Sequence, residues 1–248
     1  MKALFYLFCF LLAACASPKI ADYESKGIQI DSTTGTAGLD SMISPYRQAM
    51  EAEMKEVIGT ATVSLEKKAP ESPLSNFAAD AVYEAGLKYG NKTKDIGPDA
   101  MKKSFCLLNF GGLRAPINKG EITVGEIFEF MPFDNTLVLV KLSGDKVKEL
   151  VDYLYLHSPQ PVSNAEFKLS ETLREVKIGG KDYTYDAEVV VITSNYLAEG
   201  GDKMDFFKDP VRKWDSGILL RDIFIDYIRS AGTLGEYKPD GRIILNAQ

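Results

Sequence analysis

Two segments of the chain combine a glycine pair with a lone charged side chain, each directly after an apolar run. Residues 109 to 114 have the sequence NFGGLR, and residues 195 to 202 have the sequence NYLAEGGD. Glycine lets backbone N–H groups approach an anion closely, and open sheets hold ligands beyond the ends of their strands. A glycine pair is equally typical of a plain tight turn. Each segment alone therefore leaves both interpretations open.

A third segment strengthens the case for a ligand site. Residues 131 to 135, with the sequence MPFDN, lie between the other two and directly precede an apolar run. The segment adds an aromatic ring, Phe133, to the ring that Tyr196 supplies in the NYLAEGGD segment. The presence of three such segments favours a ligand site over unrelated turns.

Other reactive residue types are scarce. Cys106 stands alone inside an apolar run, and nothing in the sequence orients the single histidine, His157, to act as its base. We therefore predict that Cys106 is a core residue and not a nucleophile. His157 follows a predicted helix, and we expect it at the surface near the C-terminus of that helix.

The elements that must position these residues mix helices and strands irregularly. This order predicts an α+β or layered α/β domain, and 45% hydrophobic residues suffice for one substantial core. Helical spacing predicts four helices. The first follows Asp40 and has Ile43, Tyr46, Met50, Met54 and Val57 on its apolar face, and the second runs from Ser72 and Pro73 to Gly90. The third has the apolar residues Val147, Leu150, Val151 and Leu154, and the fourth runs from Leu220 to Ile228 and stops near Gly232. Strands are predicted at 105–108, 136–142 and 188–193, with a hairpin at Gly179-Gly180 and room for a short edge strand at 28–31.

The N-terminus has the features of an export signal. Residues 1 to 20, MKALFYLFCFLLAACASPKI, hold one basic residue, an apolar run and small residues before Cys15. The tetrad from Leu12 to Cys15 resembles the bacterial lipobox, in which the cysteine becomes the acylated N-terminus. An ordinary signal peptide cleaved nearby and a short apolar N-terminus are the alternatives. We predict a signal peptide over 1–15, a polar linker over 16–38 and one domain over 39–248.

Charge and hydropathy limit the partners of this domain. The formal net charge is −6, and no basic stripe that would neutralise phosphates is present, so we expect no nucleic-acid partner. No second apolar segment of about eighteen residues follows the signal. We therefore expect the membrane to be reached only through a lipid on Cys15, at the bacterial cell envelope on the periplasmic face or the outer membrane.

The motifs together resemble the C-terminal domain of the 5'-nucleotidase family, enzymes that hydrolyse nucleoside monophosphates and nucleotide sugars outside the cytoplasm. The resemblance covers nearly everything from Asp40 to the C-terminus and implies a layered α/β/β/α arrangement. The matching stretches are SPLSNFAADAV at 72–82, LLNFGGLRAPINKGEITVGEIFEFMPFDNTLVLVKLSG at 107–144, PVSNAEFKL at 161–169 and VVVITSNYLAEGGDKMDFF at 189–207.

The resemblance implies a role for each candidate residue. Phe133 and Tyr196 match the two rings that hold the base, and they are core aromatics in the alternative interpretation. Arg114 matches an arginine that reaches ribose and phosphate, and Asp202 an acid that accepts hydrogen bonds from ribose hydroxyls; a surface ion pair is their alternative. Asn109 and Asn135 match polar positions near the base and the sugar; in the alternative interpretation their side chains stabilise turns.

Three positions depart from the family pattern. Tyr196 stands where phenylalanine is more usual, which keeps the stacking face and adds a hydroxyl. Lys68 lies in a region where members often have a further arginine, and lysine cannot make a bidentate contact. Asn164 replaces a glycine, so the local turn and the base pocket are expected to differ from the family pattern.

The catalytic half of these enzymes is a metallophosphoesterase domain that binds two metal ions through histidines, aspartates and an asparagine. With one histidine and no Asp-x-His or Gly-Asn-His motif, this chain is expected to hold no cofactor or metal and no catalytic residue. The leading hypothesis is therefore the nucleotide- or nucleoside-recognition domain of a split 5'-nucleotidase, with two divalent metals on a separate metallophosphoesterase chain. The alternatives are a stand-alone nucleoside- or nucleotide-binding envelope lipoprotein and a degenerate domain retained for interactions.

Overall fold

The fold is described in a computed structural model of residues 37–246. The chain divides into two units, residues 1–46 and residues 47–248; in the first, only the helical residues 37–46 are described. The predicted signal peptide, Cys15 and the edge strand at 28–31 lie outside the described residues. No helix of the described part is both long and apolar enough to cross a membrane.

The described residues mix helices and strands in the irregular order that the sequence predicts. The helices are α1 (Ala37–Met54), α2 (Pro73–Lys92), α3 (Pro98–Lys102), α4 (Val124–Phe130), α5 (Gly144–Leu156), α6 (Asn195–Ala198) and α7 (Leu220–Ala231). The strands are β1 (Val57–Ala61), β2 (Ser104–Leu107), β3 (Gly120–Thr123), β4 (Thr136–Leu142), β5 (Val162–Ser163), β6 (Ala165–Leu169), β7 (Arg174–Ile178), β8 (Lys181–Asp182), β9 (Val189–Ser194), β10 (Arg212–Leu219), β11 (Thr233–Leu234) and β12 (Ile243–Leu245).

A five-stranded sheet with the order β10-β4-β9-β2-β5 forms the centre of the fold. Strands β2 and β9 run parallel, whereas β4 is antiparallel to both β9 and β10. Every residue of β2 and of β9 is buried, because both strands lie inside the sheet and both of its faces are covered.

Successive side chains of this sheet pack alternately into two hydrophobic cores. Cys106, Leu139 and Ile192 belong to the core that α2 and α7 cover. Their neighbours, such as Val140 and Val191, belong to the second core, which α5 and the sheet β12-β6-β7-β8 cover. Because successive side chains of a strand point to opposite faces, one central sheet can serve both cores. The α+β fold class is confirmed.

Several predicted elements are confirmed closely. Strand β4 has the predicted bounds, and the four predicted apolar positions of α5 are all buried. Gly179 and Gly180 form the β7–β8 turn with φ of 59° and 73°, the left-handed values that a two-residue hairpin requires. Helix α7 ends before Gly232, as predicted.

The boundaries of two helices differ from the prediction. Helix α1 begins at Ala37, before Asp40, and it ends at Met54, so Val57 lies in β1. Helix α2 is capped by Ser72 as predicted, but it continues past Gly90 to Lys92. A Cβ atom at Gly90 would lie 2.5 Å from the Met101 sulfur. Gly90 therefore serves close packing inside the helix, where the sequence predicts a stop.

Candidate functional site

The three glycine- and aromatic-containing segments meet at one edge of the central sheet. The segment 109–114 follows the end of β2, 195–202 follows the end of β9, and 131–135 precedes the start of β4. Cys106 pairs with Ile192, and Leu137 with Ser194. Since β2 and β9 are parallel and β4 is antiparallel to β9, the ends of β2 and β9 and the start of β4 lie at the same edge of the sheet.

All six residues predicted to bind a ligand line one cavity at this edge. The cavity has a volume of about 300 Å³ and lies between the three loops. Its walls are formed by Asn109, Gly111, Gly112, Arg114, Phe133, Asn135, Tyr196 and Asp202. A larger cavity of about 470 Å³ lies between α2 and α7, but none of the six residues lines it.

Phe133 and Tyr196 keep their rings accessible. Their exposed fractions are 41% and 46%, whereas Phe130, next to the loop that carries Phe133, is fully buried. Large aromatic side chains normally leave water on folding, and exposing them forgoes that stabilisation. The interpretation of both as core aromatics is therefore excluded.

Asp202 is held by one side chain of the 109–114 segment and by one side chain of its own segment. Its Oδ2 accepts a hydrogen bond from Asn109 Nδ2 at 2.6 Å, and its Oδ1 accepts one from the Tyr196 hydroxyl at 2.8 Å. The bond to the Asp202 carboxylate raises the pKa of Tyr196, because it favours the protonated phenol. Asn109 is buried, so the carboxamide that orients Asp202 is itself fixed.

The glycine pair of the first segment makes room for this asparagine. A Cβ atom at Gly112 would lie 2.9 Å from Asn109 Oδ1, and one at Gly111 would lie 3.2 Å from Asn109 Nδ2. A side chain at Gly112 would therefore displace the carboxamide from Asp202. The glycines serve this contact as well as the turn.

Arg114 is exposed at the rim of the cavity. Its guanidinium carbon lies 5.9 Å from the centroid of the Phe133 ring, and Nη1 donates to the Gly111 carbonyl oxygen at 3.4 Å. Its backbone N–H donates to the Phe130 carbonyl oxygen at 2.9 Å, which ties the two loops together. No ion pair is found for Arg114 among residues 37–246, so the predicted alternative of a surface ion pair with Asp202 does not hold.

Asn195 joins the two aromatic loops and was not among the predicted residues. Its Oδ1 accepts hydrogen bonds from the backbone N–H of Thr136 at 3.1 Å and of Tyr196 at 2.9 Å. The Asn195 carboxamide thus links the start of β4, next to Asn135, to the backbone of Tyr196.

Arg221 is a second residue that sequence reasoning missed. It is only 8% exposed, its Nη2 lies 2.9 Å from Asp134 Oδ1, and its guanidinium carbon lies 4.1 Å from the centroid of the Phe128 ring. The adjacent Leu220 N–H donates to the Asn135 carbonyl oxygen at 2.8 Å. The start of α7 therefore holds the loop of Phe133.

Lysine 67, and not Lys68, reaches the glycine-containing loop. Lys67 Nζ donates to the carbonyl oxygens of Leu113 at 2.8 Å and Phe110 at 3.3 Å. The predicted change at Asn164 does not reach the candidate site. Asn164 adopts a φ of 59°, which asparagine tolerates, and it lines a different cavity with Asp80 and Arg242.

The remaining reactive residues lie apart from the cavity. Cys106 is fully buried and burial raises the pKa of its thiol, which confirms that it is a core residue. His157 is exposed at the C-terminus of α5 and stacks on Tyr153 with 4.9 Å between the ring centroids. Within residues 37–246, no group of three histidine, cysteine or acidic side chains is placed to hold a metal ion.

Fold and cavity together define an α+β domain with a small cleft walled by two exposed aromatic rings. The family model described as "5'-nucleotidase, C-terminal domain" matches residues 57–209. The chain belongs to this family.

Relatives with determined sequences or structures agree with this assignment. The chain is 28% identical to the trifunctional nucleotide phosphoesterase protein YfkN of Bacillus subtilis over 80% of its own length and 14% of the relative's. It is 27% identical to a 5'-nucleotidase of Vibrio cholerae over 58% of this chain and 27% of that protein. The crystal structure of the 5'-nucleotidase precursor from Thermus thermophilus superposes with a TM-score of 0.68 and 26% identity, covering 84% of this chain and 43% of that one. The chain thus spans less than half of each of these proteins.

Proposed function

We propose that the chain is the nucleotide- or nucleoside-recognition part of a split 5'-nucleotidase, in which a separate metallophosphoesterase chain performs the hydrolysis. The observation that carries this proposal is the cavity of about 300 Å³ on which all six residues converge, with both aromatic rings exposed. A purine offers two faces to such a pair of rings, and stacking tolerates different bases.

The polar residues of the cavity suit the rest of a nucleotide. Asp202 is a carboxylate oriented by two donors, which suits acceptance of hydrogen bonds from sugar hydroxyls. Arg114 places a planar, permanently charged group at the rim, which suits a phosphate. Asn109 and Asn135 contribute carboxamides between these charges.

The need for a catalytic partner rests on the inventory of metal-binding residues. Two-metal phosphoesterase sites require several histidine and acidic ligands, and this chain has one histidine, which stacks on Tyr153 at a helix end. The matched proteins named as 5'-nucleotidases are also about twice as long as this chain, as the covered shares imply. Two divalent metals on a partner chain would supply what the described residues do not.

Titration calorimetry of the full-length chain with adenosine and AMP tests the recognition function. We expect saturable binding that weakens by roughly tenfold or more in both Phe133→Ala and Tyr196→Ala, because each stack contributes about 1–3 kcal/mol. Ile244→Ala, which removes an exposed apolar side chain outside the cavity, is the matched control and should bind like the wild type. A folded wild-type chain that binds neither ligand would contradict the recognition function.

We further propose that the chain is anchored to the bacterial cell envelope by lipid on Cys15. The proposal rests on the lipobox-like tetrad that ends at Cys15, outside the described residues. Radiolabelled fatty acid should label the wild-type chain and not Cys15→Ser, and the variant should leave the membrane fraction. Cys106→Ser, at a buried thiol, is the control and should label normally. Equal labelling of wild type and Cys15→Ser would refute the anchor.

A further inference from the structure

The hydroxyl of Tyr196 contacts Asp202 twice. It donates to Asp202 Oδ1 at 2.8 Å, and its oxygen accepts from the Asp202 backbone N–H at 3.2 Å. A hydroxyl can do both because it is one donor and carries two lone pairs. A phenylalanine ring at this position would keep the stacking face and lose both contacts.

The backbone around Asp202 needs such support. Gly200, Asp202 and Lys203 have φ of 89°, 53° and 63°, so two residues with side chains lie in the left-handed region that L-residues seldom adopt. Conformations of this kind persist only where surrounding contacts fix them. The Tyr153 hydroxyl, which donates to the Asp202 carbonyl oxygen at 2.9 Å, supplies the other anchor of the backbone.

The Asp202 carboxylate is held in one orientation, but not all of its hydrogen-bond acceptor positions are used. A carboxylate has about four lone-pair positions, and within the described residues the side chains of Asn109 and Tyr196 take one on each oxygen. One position on each oxygen remains, which suits two neighbouring hydroxyl groups that donate side by side. The cis-diol of ribose has this arrangement of donors.

We propose that the Tyr196 hydroxyl is a specificity-determining group, which fixes Asp202 so that the cavity selects ribose-containing ligands over those lacking the 2' and 3' hydroxyls. This inference rests on the proposed recognition of nucleosides and nucleotides. The ring of Tyr196 then serves the base, while its hydroxyl serves the sugar through Asp202. Sugar selection is thereby coupled to base stacking in one side chain.

The test compares the affinities of the full-length chain and of Tyr196→Phe for adenosine and 2',3'-dideoxyadenosine. We expect the wild type to prefer adenosine by on the order of tenfold, a typical effect of hydrogen bonds to a charged group. In Tyr196→Phe that preference should fall to about twofold or less, while the affinity for dideoxyadenosine stays within about twofold of wild type. Retained dideoxyadenosine binding shows that the variant cavity is folded.

The control is Tyr89→Phe, which removes a hydroxyl that donates to the Asp215 carbonyl oxygen at 3.3 Å, away from the cavity. It should leave the preference unchanged. A Tyr196→Phe variant that keeps or increases the preference for adenosine overturns the inference, and so does one that weakens both ligands equally. A wild type that binds both ligands equally overturns it while base recognition stands. A wild type that binds neither ligand overturns the proposed function itself.

Discussion

Arg114 and Asp202 give the cavity one positive and one negative charge among its described lining residues. Asp202 is restrained by hydrogen bonds from two side chains, whereas the exposed Arg114 side chain donates a long hydrogen bond of 3.4 Å to the Gly111 carbonyl oxygen and lies near the Phe133 ring. A restrained acceptor suits a fixed group such as a sugar. A permanently charged donor at the exposed rim suits the phosphate, which projects furthest from the base.

Replacing Arg114 by alanine should therefore separate nucleotides from nucleosides. We expect Arg114→Ala to lower the affinity for AMP by about tenfold or more, since hydrogen bonds to charged groups contribute about 1.5–3 kcal/mol. The affinity for adenosine should change by no more than a few-fold. Calorimetric titration measures both, with Arg229→Ala, which breaks an exposed ion pair with Glu56, as the control. Equal losses for AMP and adenosine would show instead that Arg114 acts through the Phe133 ring.

Residue types and motifs were sufficient to predict which side chains line the cavity, but they did not reveal what holds them. Phe133 and Tyr196 stand in distinctive motifs, so the resemblance identifies them directly. Arg221 contacts Asp134 across 87 positions of sequence, and Lys67 bonds to carbonyl oxygens that carry no sequence signal. Contacts of this kind depend on the tertiary fold, which a local pattern does not encode.

Elements were predictable where the apolar pattern has one simple explanation. Strand β4 and helix α5 each bury a regular set of side chains, and their pattern alone gave their positions. Gly90 was misinterpreted because glycine ends helices often, whereas here it allows α2 to approach Met101. Strand β11 has only two residues, Thr233 and Leu234, so no alternation of apolar side chains could reveal it.

Because α2 packs closely on the central sheet, we expect Gly86→Ala to destabilise the fold. Alanine is the better helix former by about 1 kcal/mol, so an exposed position would be stabilised by Gly86→Ala. Here the added Cβ would lie 2.5 Å from Ile192 Cγ2 in β9. We expect the overpacking to dominate and the free energy of unfolding to fall by about 1–3 kcal/mol. Urea denaturation measures it, with Lys88→Ala on the exposed face of α2 as the control; a gain in stability in Gly86→Ala would contradict the packing argument.

At the scale of the whole molecule, the chain belongs to the 5'-nucleotidase C-terminal domain family, and its sequence contains a single histidine. The chain covers 43% of the Thermus thermophilus precursor, with which it shares the fold. Its own loops place stacking rings, a carboxylate and a guanidinium around one cavity. The proposed division of labour between two chains assigns only recognition to these residues.

Reconstitution tests this division of labour. The chain alone should release no phosphate from AMP above background with Mn²⁺ or Zn²⁺ present, because no group of three candidate metal ligands lies together within residues 37–246. Mixing it with the proposed metallophosphoesterase partner chain should restore hydrolysis. In the mixture, Phe133→Ala should raise KM for AMP, whereas Ile244→Ala should not.

Hydrolysis by the chain alone would refute the need for a partner. Tight nucleoside binding without any complex or activity in the mixture would favour a stand-alone binding lipoprotein, since a split enzyme can use its contacts mainly in the transition state.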